Sequence, residues 1–308
     1  MLGRDVVKNY RIVQNDCFNR DLYIDLGKTK RGTEVRILQE FIECDFKILT
    51  GFIEPHFFAC FSGGGKAIMP GLASLDTIMQ NHSIQNIDSE NATWGVTEAN
   101  PVWEDIQEAS SKAKPYFLLN VALNHEKRIS GIFAGNPQEA YLEGIEFVKQ
   151  SSMIPVKKAY NIVITSNSGY PLDLNLYQSV KGMSAASRIV REGGAIVMVA
   201  ECSDGIPDYG EYGKLLFEEK NPQKLLEKIH KPGFHVQDMW QAQIHAKICL
   251  KADVYFYTEN LTEEQIKKAF LKPVKNLNNT LKTLIEKYRP DVSICVLPDG
   301  PLNIPYIK

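Results

Sequence analysis

The chemistry-bearing residues of this 308-residue chain gather in one short stretch, Glu54–Ser83, EPHFFACFSGGGKAIMPGLASLDTIMQNHS. His56 follows Pro55 after a strand-like run. Ser62-Gly63-Gly64-Gly65-Lys66 is a glycine-rich loop ending in lysine, and His82 closes a segment with helical spacing. An imidazole titrates near neutral pH and can move a proton or bind a metal through a ring nitrogen. A lysine amine can pair with an anion or, once uncharged, attack an electrophile. Three successive glycines carry no Cβ, so their amides can come close to a phosphate or a planar group. The loop lacks the spacing of a Walker A motif, which argues against a nucleoside triphosphate. A glycine triplet is commonly only a flexible turn, and a single histidine is more often a satisfied polar group than a ligand. The residues alone leave phosphate, metal and plain turn all open.

A second concentration lies in Ser166–Ala186, SNSGYPLDLNLYQSVKGMSAA, which contains Tyr177, Gln178 and Lys181. The three-residue step from Gln178 to Lys181 puts both on one helix face, where they could hold one anion. The ordinary alternative is a solvated helix face. Trp240, in FHVQDMWQAQ, is a third candidate, and its alternative is a core or hinge aromatic.

These segments resemble the nickel-pincer-dependent lactate racemase family of 2-hydroxyacid racemases and epimerases. The likeness rests on EPHFFACFSGGGKAIMPGLASLDTI…NH, with ten residues from His56 to Lys66 and sixteen from Lys66 to His82, and on the Ser166–Ala186 block. FLLNVALNHEKRISGIFAGNPQEAYLEG, REGGAIVMVAECSDGIPD and SICVLPDGPLNIP extend it over nearly the whole chain. The resemblance implies that His56 is a catalytic acid/base and that Lys66 holds the cofactor through a thioamide bond, with Ser62, Gly63, Gly64 and Gly65 beside it. It implies that His82 is the protein ligand to nickel, that Tyr177, Gln178 and Lys181 meet the substrate carboxylate, and that Trp240 stands near the cofactor. The implied cofactor is the nickel-pincer nucleotide, pyridinium-3-thioamide-5-thiocarboxylate mononucleotide with nickel. The implied partners are a small 2-hydroxyacid and the enzymes that synthesise the cofactor. The implied reaction inverts a lactate-like 2-hydroxyacid by hydride abstraction and return. A base takes the hydroxyl proton as hydride leaves, so no carbanion forms at a weakly acidic C–H bond.

Two departures from the family pattern shape the expectation. Where the family has a histidine before an aspartate, in a stretch like YRVVNHDA, this chain has YRIVQNDC, with Asn15 at the histidine position. An amide takes no proton near neutral pH, so one face of the substrate is expected to lack its base. Family members also begin with a further region of about one hundred residues, sized like a large part of a domain, which carries a phosphate-anchoring Asp/Arg-Pro motif. This sequence starts at MLGRDVVKNY without it. A first domain with an incomplete sheet is therefore expected. Its open edge would invite pairing with another chain, such as a companion chain supplying the absent part. The alternative function is a non-catalytic paralogue or fragment that binds the cofactor or a small acid, or one half of a split enzyme.

Positioning these groups requires a scaffold, and the rest of the sequence reads as alternating strands and helices. Strands are predicted at Tyr10–Val13, Phe46–Thr50, Phe117–Leu123, Ile129–Ala134, Asn161–Thr165, Ala195–Ala200, Asp253–Tyr257 and Ser293–Leu297. Helices are predicted at Glu34–Cys44, Pro137–Gln150, Leu174–Val190, Tyr212–Leu216, Asn221–His230, Trp240–Leu250, Thr262–Phe270 and Leu277–Tyr288. Alternation of this kind predicts an α/β fold with parallel sheets. The polar segment Ser151–Lys158 predicts a boundary. Residues 1–154 then form a cofactor-tethering α/β domain, incomplete at its N-terminal side. Residues 155–308 form a substrate-clamping, doubly wound Rossmann-like domain with ligands expected beyond the carboxyl ends of its strands.

Composition narrows the function classes. The chain is 44% hydrophobic and 23% charged with a net charge of −2, which offers no basic footprint for nucleic acid. No run of about 18 apolar residues predicts a membrane span. Six scattered cysteines without a CxxC pair, and a charged N-terminus without a signal-like apolar stretch, point to the reducing cytoplasm.

Overall fold

The computed structural model describes residues 3–308. It has two lobes, each built on its own sheet. In the first, Ile48–Phe52 pairs in parallel with Phe117–Leu123, which pairs antiparallel with Ile129–Gly135. Leu49, Leu118 and Phe133 point to one face and are buried there, against the helix Pro137–Ser152. That helix begins where sequence rules demand. Asn136 accepts hydrogen bonds from the N–H groups of Gln138 and Glu139, and Pro137, which has no N–H to satisfy, takes the first position. Asn100 and Pro101 repeat the device at the helix Pro101–Ser111.

The second lobe is a five-stranded parallel sheet in the order Lys272–Pro273, Asp253–Tyr257, Val190–Val199, Tyr160–Ser166, Ile294–Leu297. Its central strands are continuous apolar runs because both faces are covered. Ile162, Ala195 and Val197 pack under the helix Leu277–Lys287 through Leu281 and Leu284. Val163, Ile196 and Met198 belong to the main core on the opposite face, with Met183, Ala242 and Ala246 from the helices Leu176–Ser187 and Met239–Lys251. The chain winds outward from Tyr160–Ser166 in one direction, then returns to its other side with Ile294–Leu297. The sheet is therefore doubly wound, and its switch point lies between these two strands.

Several elements differ from expectation. Glu34–Cys44 is not one helix: Glu34–Leu38 is a strand paired with Tyr23–Lys28, and only Gln39–Glu43 is helical. Val35 and Ile37 are both fully buried, a period of two that marks a half-buried strand. Tyr10–Val13, expected as a strand, joins no ladder among the described residues. The helix expected to reach Val190 stops at Ser187, since Val190 already belongs to a strand. Met153–Val156, inside the segment read as a linker, is a strand parallel to Ile304–Ile307.

Polar contacts tie the lobes together. Trp94 Nε1 donates to Ser184 Oγ at 3.1 Å, and Arg188 donates to Thr93 Oγ1 and to the Pro305 carbonyl. Asp88, at the end of the helix Ile84–Asp88, accepts from Lys247, Gln243 and His230 at 2.5–2.7 Å. Burial would raise the Asp88 carboxyl, but Lys247 and His230 outweigh it and hold it below its usual range. The His230 ring is raised by the Leu226 carbonyl and, against some burial, by Asp88. The signs set a window. The His230 contribution is complete below the unfolded histidine pKa and fades as pH rises through the raised folded value. The Asp88 contribution is complete above the unfolded aspartate pKa and is lost on acidification through the depressed one. Asp88→Asn is expected to cost about 1 kcal/mol at pH 6, a small value because the pair is partly exposed. The check is urea unfolding of both proteins at pH 6 and pH 8.5, where the difference should be smaller at the higher pH.

Candidate active site

Lys66 is delivered by a tight piece of backbone. Pro55–His56 and Cys60–Phe61 form a minimal hairpin, and Ser62 closes it by accepting the Glu54 N–H and donating to the Phe52 carbonyl, both at 2.8 Å. A single 3-10 turn, Gly64–Ala67, follows and carries Lys66. The glycines are required by protein neighbours. A Cβ on Gly63 would lie 2.6 Å from Asn120 Oδ1, one on Gly64 2.6 Å from the Tyr141 ring, and one on Gly65 2.5 Å from Ser110 Oγ. The Gly64 N–H donates to Asn120 Oδ1 at 2.7 Å. The sequence reading gave Ser62, Gly63, Gly64 and Gly65 to a cofactor. The Ser62 hydroxyl and the Gly64 N–H are bonded within the first lobe, whose close packing on the glycine Cα atoms presents Lys66.

His82 is placed from the other side. It caps the helix Leu75–Asn81, whose start is set by the Ser74 hydroxyl. Its end is fixed by Asn81, which donates to the Val102 carbonyl and to Asp105 Oδ2. Asp105 is buried and also accepts from Thr29 and Thr33 at 2.6 and 2.7 Å. This anchor holds His82 against Phe58, with ring centroids 5.1 Å apart and edge to face. Phe58 lies in turn 4.6 Å from the His56 ring, and Trp240 of the second lobe lies 5.0 Å from His82. Trp240 Nε1 donates to Tyr177 Oη at 3.2 Å. A chain of aromatic edges thus runs His56–Phe58–His82–Trp240–Tyr177 across the two lobes.

Lys181 joins from the helix Leu176–Ser187, which leaves the carboxyl end of the sheet at its switch point. His56, Lys66 and Lys181 are half-buried and His82 is buried, so water still reaches the cluster. Their charges feel one another. Burial, then the Lys181 charge, lowers the Lys66 amine to about 7. Burial, then Lys66, lowers His82 to about 3. Burial, then Lys66, Lys181 and His82, holds His56 well below its ordinary value. Near neutral pH both rings are uncharged and Lys66 is close to its midpoint, so a large share of it is free amine. Lys181 is lowered by burial and supported by Glu54, whose own carboxyl is raised by burial against the pull of Lys181 and Lys127.

Tautomers follow from contacts. His56 Nδ1 accepts the Ala59 N–H at 3.3 Å, so the neutral ring carries its proton on Nε2. The buried His82 Nδ1 has no protein partner, and neither does one end of the Gln178 amide. Trp103 and Gln107, on the helix Pro101–Ser111, add two unpaired buried N–H groups; the Gln107 amide lies beside Gly65.

The structure thus brings together His56, Lys66, His82, Lys181, Tyr177 and Trp240, with Gln178 on the Lys181 helix. Asn15 stands on a separate set of bonds. It donates to the Ala73 carbonyl at 3.2 Å and accepts from Tyr23 Oη at 2.7 Å, and no hydrogen bond or ring contact among the described residues joins it to the cluster. Sequence reasoning passed over Glu54, although it begins the Glu-Pro-His motif. It also passed over Asp105, Trp103 and Gln107, which carry no motif. Two open depressions of about 610 and 530 Å³ lie elsewhere, rimmed by surface ion pairs such as Lys268–Glu264 and Arg31–Glu104, and hold none of these residues. No group of three or more histidine, cysteine, aspartate or glutamate side chains among the described residues could hold a metal by itself.

Two α/β lobes with a cluster of imidazoles and amines where they meet define a two-lobed α/β scaffold. The lactate racemase N-terminal domain description matches residues 1–95 and the C-terminal domain description matches residues 156–304. The lactate racemase of Thermoanaerobacterium thermosaccharolyticum is 40% identical over 300 residues, and that of Lactiplantibacillus plantarum is 36% identical over 299. Each alignment covers 97% of this chain and 70% of the relative. The solved lactate racemase apoprotein from T. thermosaccharolyticum superposes with a TM-score of 0.93 at 39% identity, covering 98% of this chain and 73% of that one. A Thermotoga maritima protein at 18% identity and a TM-score of 0.72 shares the fold, with 98% and 80% covered. The chain belongs to the lactate racemase family.

The coupling of the two lysines is open to test. Lys66 should label with an amine reagent with a midpoint near pH 7, well below that of exposed lysines. Lys181→Met, by removing a neighbouring positive charge, should move that midpoint upward. Site-resolved labelling followed by mass spectrometry reads both, and an unmoved midpoint would sink the coupling.

Proposed function

We propose that this racemase interconverts the enantiomers of a small, lactate-like 2-hydroxyacid with a nickel-pincer nucleotide joined to Lys66 and its nickel bound by His82. Residues 1–154 carry the cofactor in this reading, and residues 155–308 clamp the substrate. The observation that carries it is the meeting of His56 and His82 around Phe58 with Trp240 of the second lobe, close enough to Lys66 for its charge to lower both rings.

The residues fit such a group. Covalent attachment needs an amine that is free near neutral pH, as Lys66 is. A metal ligand must be an uncharged imidazole, as His82 is at any physiological pH. One protein ligand suffices if the cofactor brings the remaining donors, which agrees with the lack of a clustered ligand set among the described residues. When bound, the group supplies an electrophilic carbon able to accept hydride.

The chain does the rest. Lys181 pairs with the substrate carboxylate, and Glu54 helps it stay protonated in a half-buried place. The Gln178 amide would meet the same carboxylate through its Nε2–H, whereas its partnerless Oε1 only accepts and suits the substrate hydroxyl. His56 presents Nε2–H to the substrate hydroxyl oxygen. Exchange to the other tautomer, with release of the Ala59 contact, lets the same nitrogen take the hydroxyl proton. Trp240, Tyr177 and Phe58 wall the crevice and limit water. Six free cysteines, Cys44 exposed among them, support a cytoplasmic site of action alongside the enzymes that make the cofactor.

Asn15 favours a second reading, a cofactor-binding paralogue without turnover, because its amide is committed to Tyr23 and Ala73 and accepts no proton. Co-expression with the cofactor-synthesis enzymes separates the two. An adduct on Lys66 with racemisation of L- and D-lactate supports the first reading; an adduct without turnover supports the second.

Variants test the assignments. Lys66→Ala should abolish the adduct mass, and His82→Ala should lose nickel while keeping the organic part. An unchanged adduct or full nickel content would refute the respective role. Lys181→Ala should raise KM by about 30-fold, the loss of about 2 kcal/mol expected for a charged hydrogen bond. Asn15→His should raise kcat/KM equally for both enantiomers, because the equilibrium constant of a racemisation is unity.

A further inference from the structure

Asn167 stands where the strand Tyr160–Ser166 ends, at the switch point of the five-stranded sheet, and it is fully buried. Both ends of its amide are engaged. Nδ2 donates to the Leu172 carbonyl and, at 3.1 Å, to the Gln178 carbonyl, while Oδ1 accepts the Gly182 N–H at 2.8 Å. Gln178 and Gly182 lie on the helix Leu176–Ser187 at the spacing whose C=O and N–H bond each other in an uninterrupted α-helix. The Asn167 amide therefore clasps one helical turn from both of its ends. A side chain set into the main-chain ladder is one of the few things that bend a helix.

The packing around this clasp is tight. A Cβ on Gly182 would lie 2.8 Å from both Asn167 Oδ1 and the Ser166 carbonyl, and one on Gly300 2.7 Å from that carbonyl and 3.1 Å from Gly182 Cα. The two glycines let the helix settle onto the ends of the strands Tyr160–Ser166 and Ile294–Leu297. An isolated bridge between Asn167 and Asp299 holds the same corner.

The clasped turn carries Lys181. Glu54 supports the charge on its amine, but no hydrogen bond or ion pair among the described residues fixes that amine. Its direction comes from the backbone beneath it, and its long flexible stem magnifies a small rotation of that backbone. We propose that Asn167 is a positioning residue that aims Lys181 by gripping the helical turn on which it stands. The inference rests on the reading of Lys181 as the clamp for the substrate carboxylate, and Asn167 acts on the substrate only through that side chain.

One readout needs no cofactor. Burial lowers the Lys181 amine, so its midpoint for labelling by an amine reagent, read site by site by mass spectrometry, should rise toward that of an exposed lysine in Asn167→Ala. Gly182→Ala breaks the same contact from the helix side and should do likewise, which covers the case in which one variant does not fold. Lys251, bonded to the Ser187 carbonyl at the far end of the same helix, should label as before, whereas loosening of the whole helix would move it too. The second readout is kinetic. In the cofactor-loaded enzyme Asn167→Ala should raise KM by about tenfold with kcat changed less than about twofold, the mark of lost uniform binding. Added to Lys181→Ala it should raise KM by less than about twofold more, since the group it acts through is gone. An unmoved Lys181 midpoint, a Lys251 that changes in step, or an undiminished effect of Asn167→Ala in the Lys181→Ala background overturns the proposal. An unchanged KM in Lys181→Ala alone removes Lys181 from the clamp instead, and the labelling midpoints still decide whether Asn167 aims its amine.

Discussion

Two amines and two imidazoles lie close together, with Glu54 supporting the charge on Lys181. Each additional positive charge in that space raises the cost of the next, and partial burial magnifies the repulsion. The chain resolves the conflict by leaving His56 and His82 uncharged, Lys66 near its midpoint and Lys181 supported by Glu54. Nearly everything else in the fold is arranged to keep these groups close despite that repulsion. The glycine run seats Lys66 between Asn120, Tyr141 and Ser110, and Asp105 locks the helix end that carries His82. The function proposed above has use for such a state, since the attachment, metal binding and proton transfer it calls for all begin with a lone pair.

The two lobes contribute in unlike ways. The first supplies the lone pairs from loops and helix ends stiffened by buried hydrogen bonds. The second supplies a long-armed cation from a helix at the switch point of a doubly wound sheet, a place where such folds gather ligands. Trp240 joins the two, its ring against His82 and its N–H on Tyr177.

Much of this was legible in the residues. Phe117–Leu123 and Asp253–Tyr257 stand as strands within the predicted bounds, because their β-branched and aromatic runs are flanked by clear breaks. The Lys66, His82 and His56 spacing was informative because it carried a family resemblance; composition alone left metal, phosphate and turn open. Glu34–Leu38 was misread because EVRILQEFIEC fits a helical period almost as well as an alternating one, and pairing with Tyr23–Lys28 decided it. Tyr10–Val13 has strand composition, but a strand is defined by a partner, and no local pattern reports its presence. The packing that requires the glycines was not legible for a similar reason. Their neighbours Asn120, Tyr141 and Ser110 lie 45 or more positions away in sequence and become visible only in three dimensions.

The parallel pairing of Met153–Val156 with Ile304–Ile307 has a consequence for how the lobes can move. The crossover between them is not a slack tether, for it is zipped to the strand Ile304–Ile307, and Gly95 of the first lobe packs on Met153 and Ile304. Exchange of a lobe between two molecules would require unzipping that ladder and burying it again elsewhere, so swapped dimers are disfavoured by construction. Any change in the relative placement of the lobes therefore has to carry Met153–Val156 and Ile304–Ile307 together as one piece.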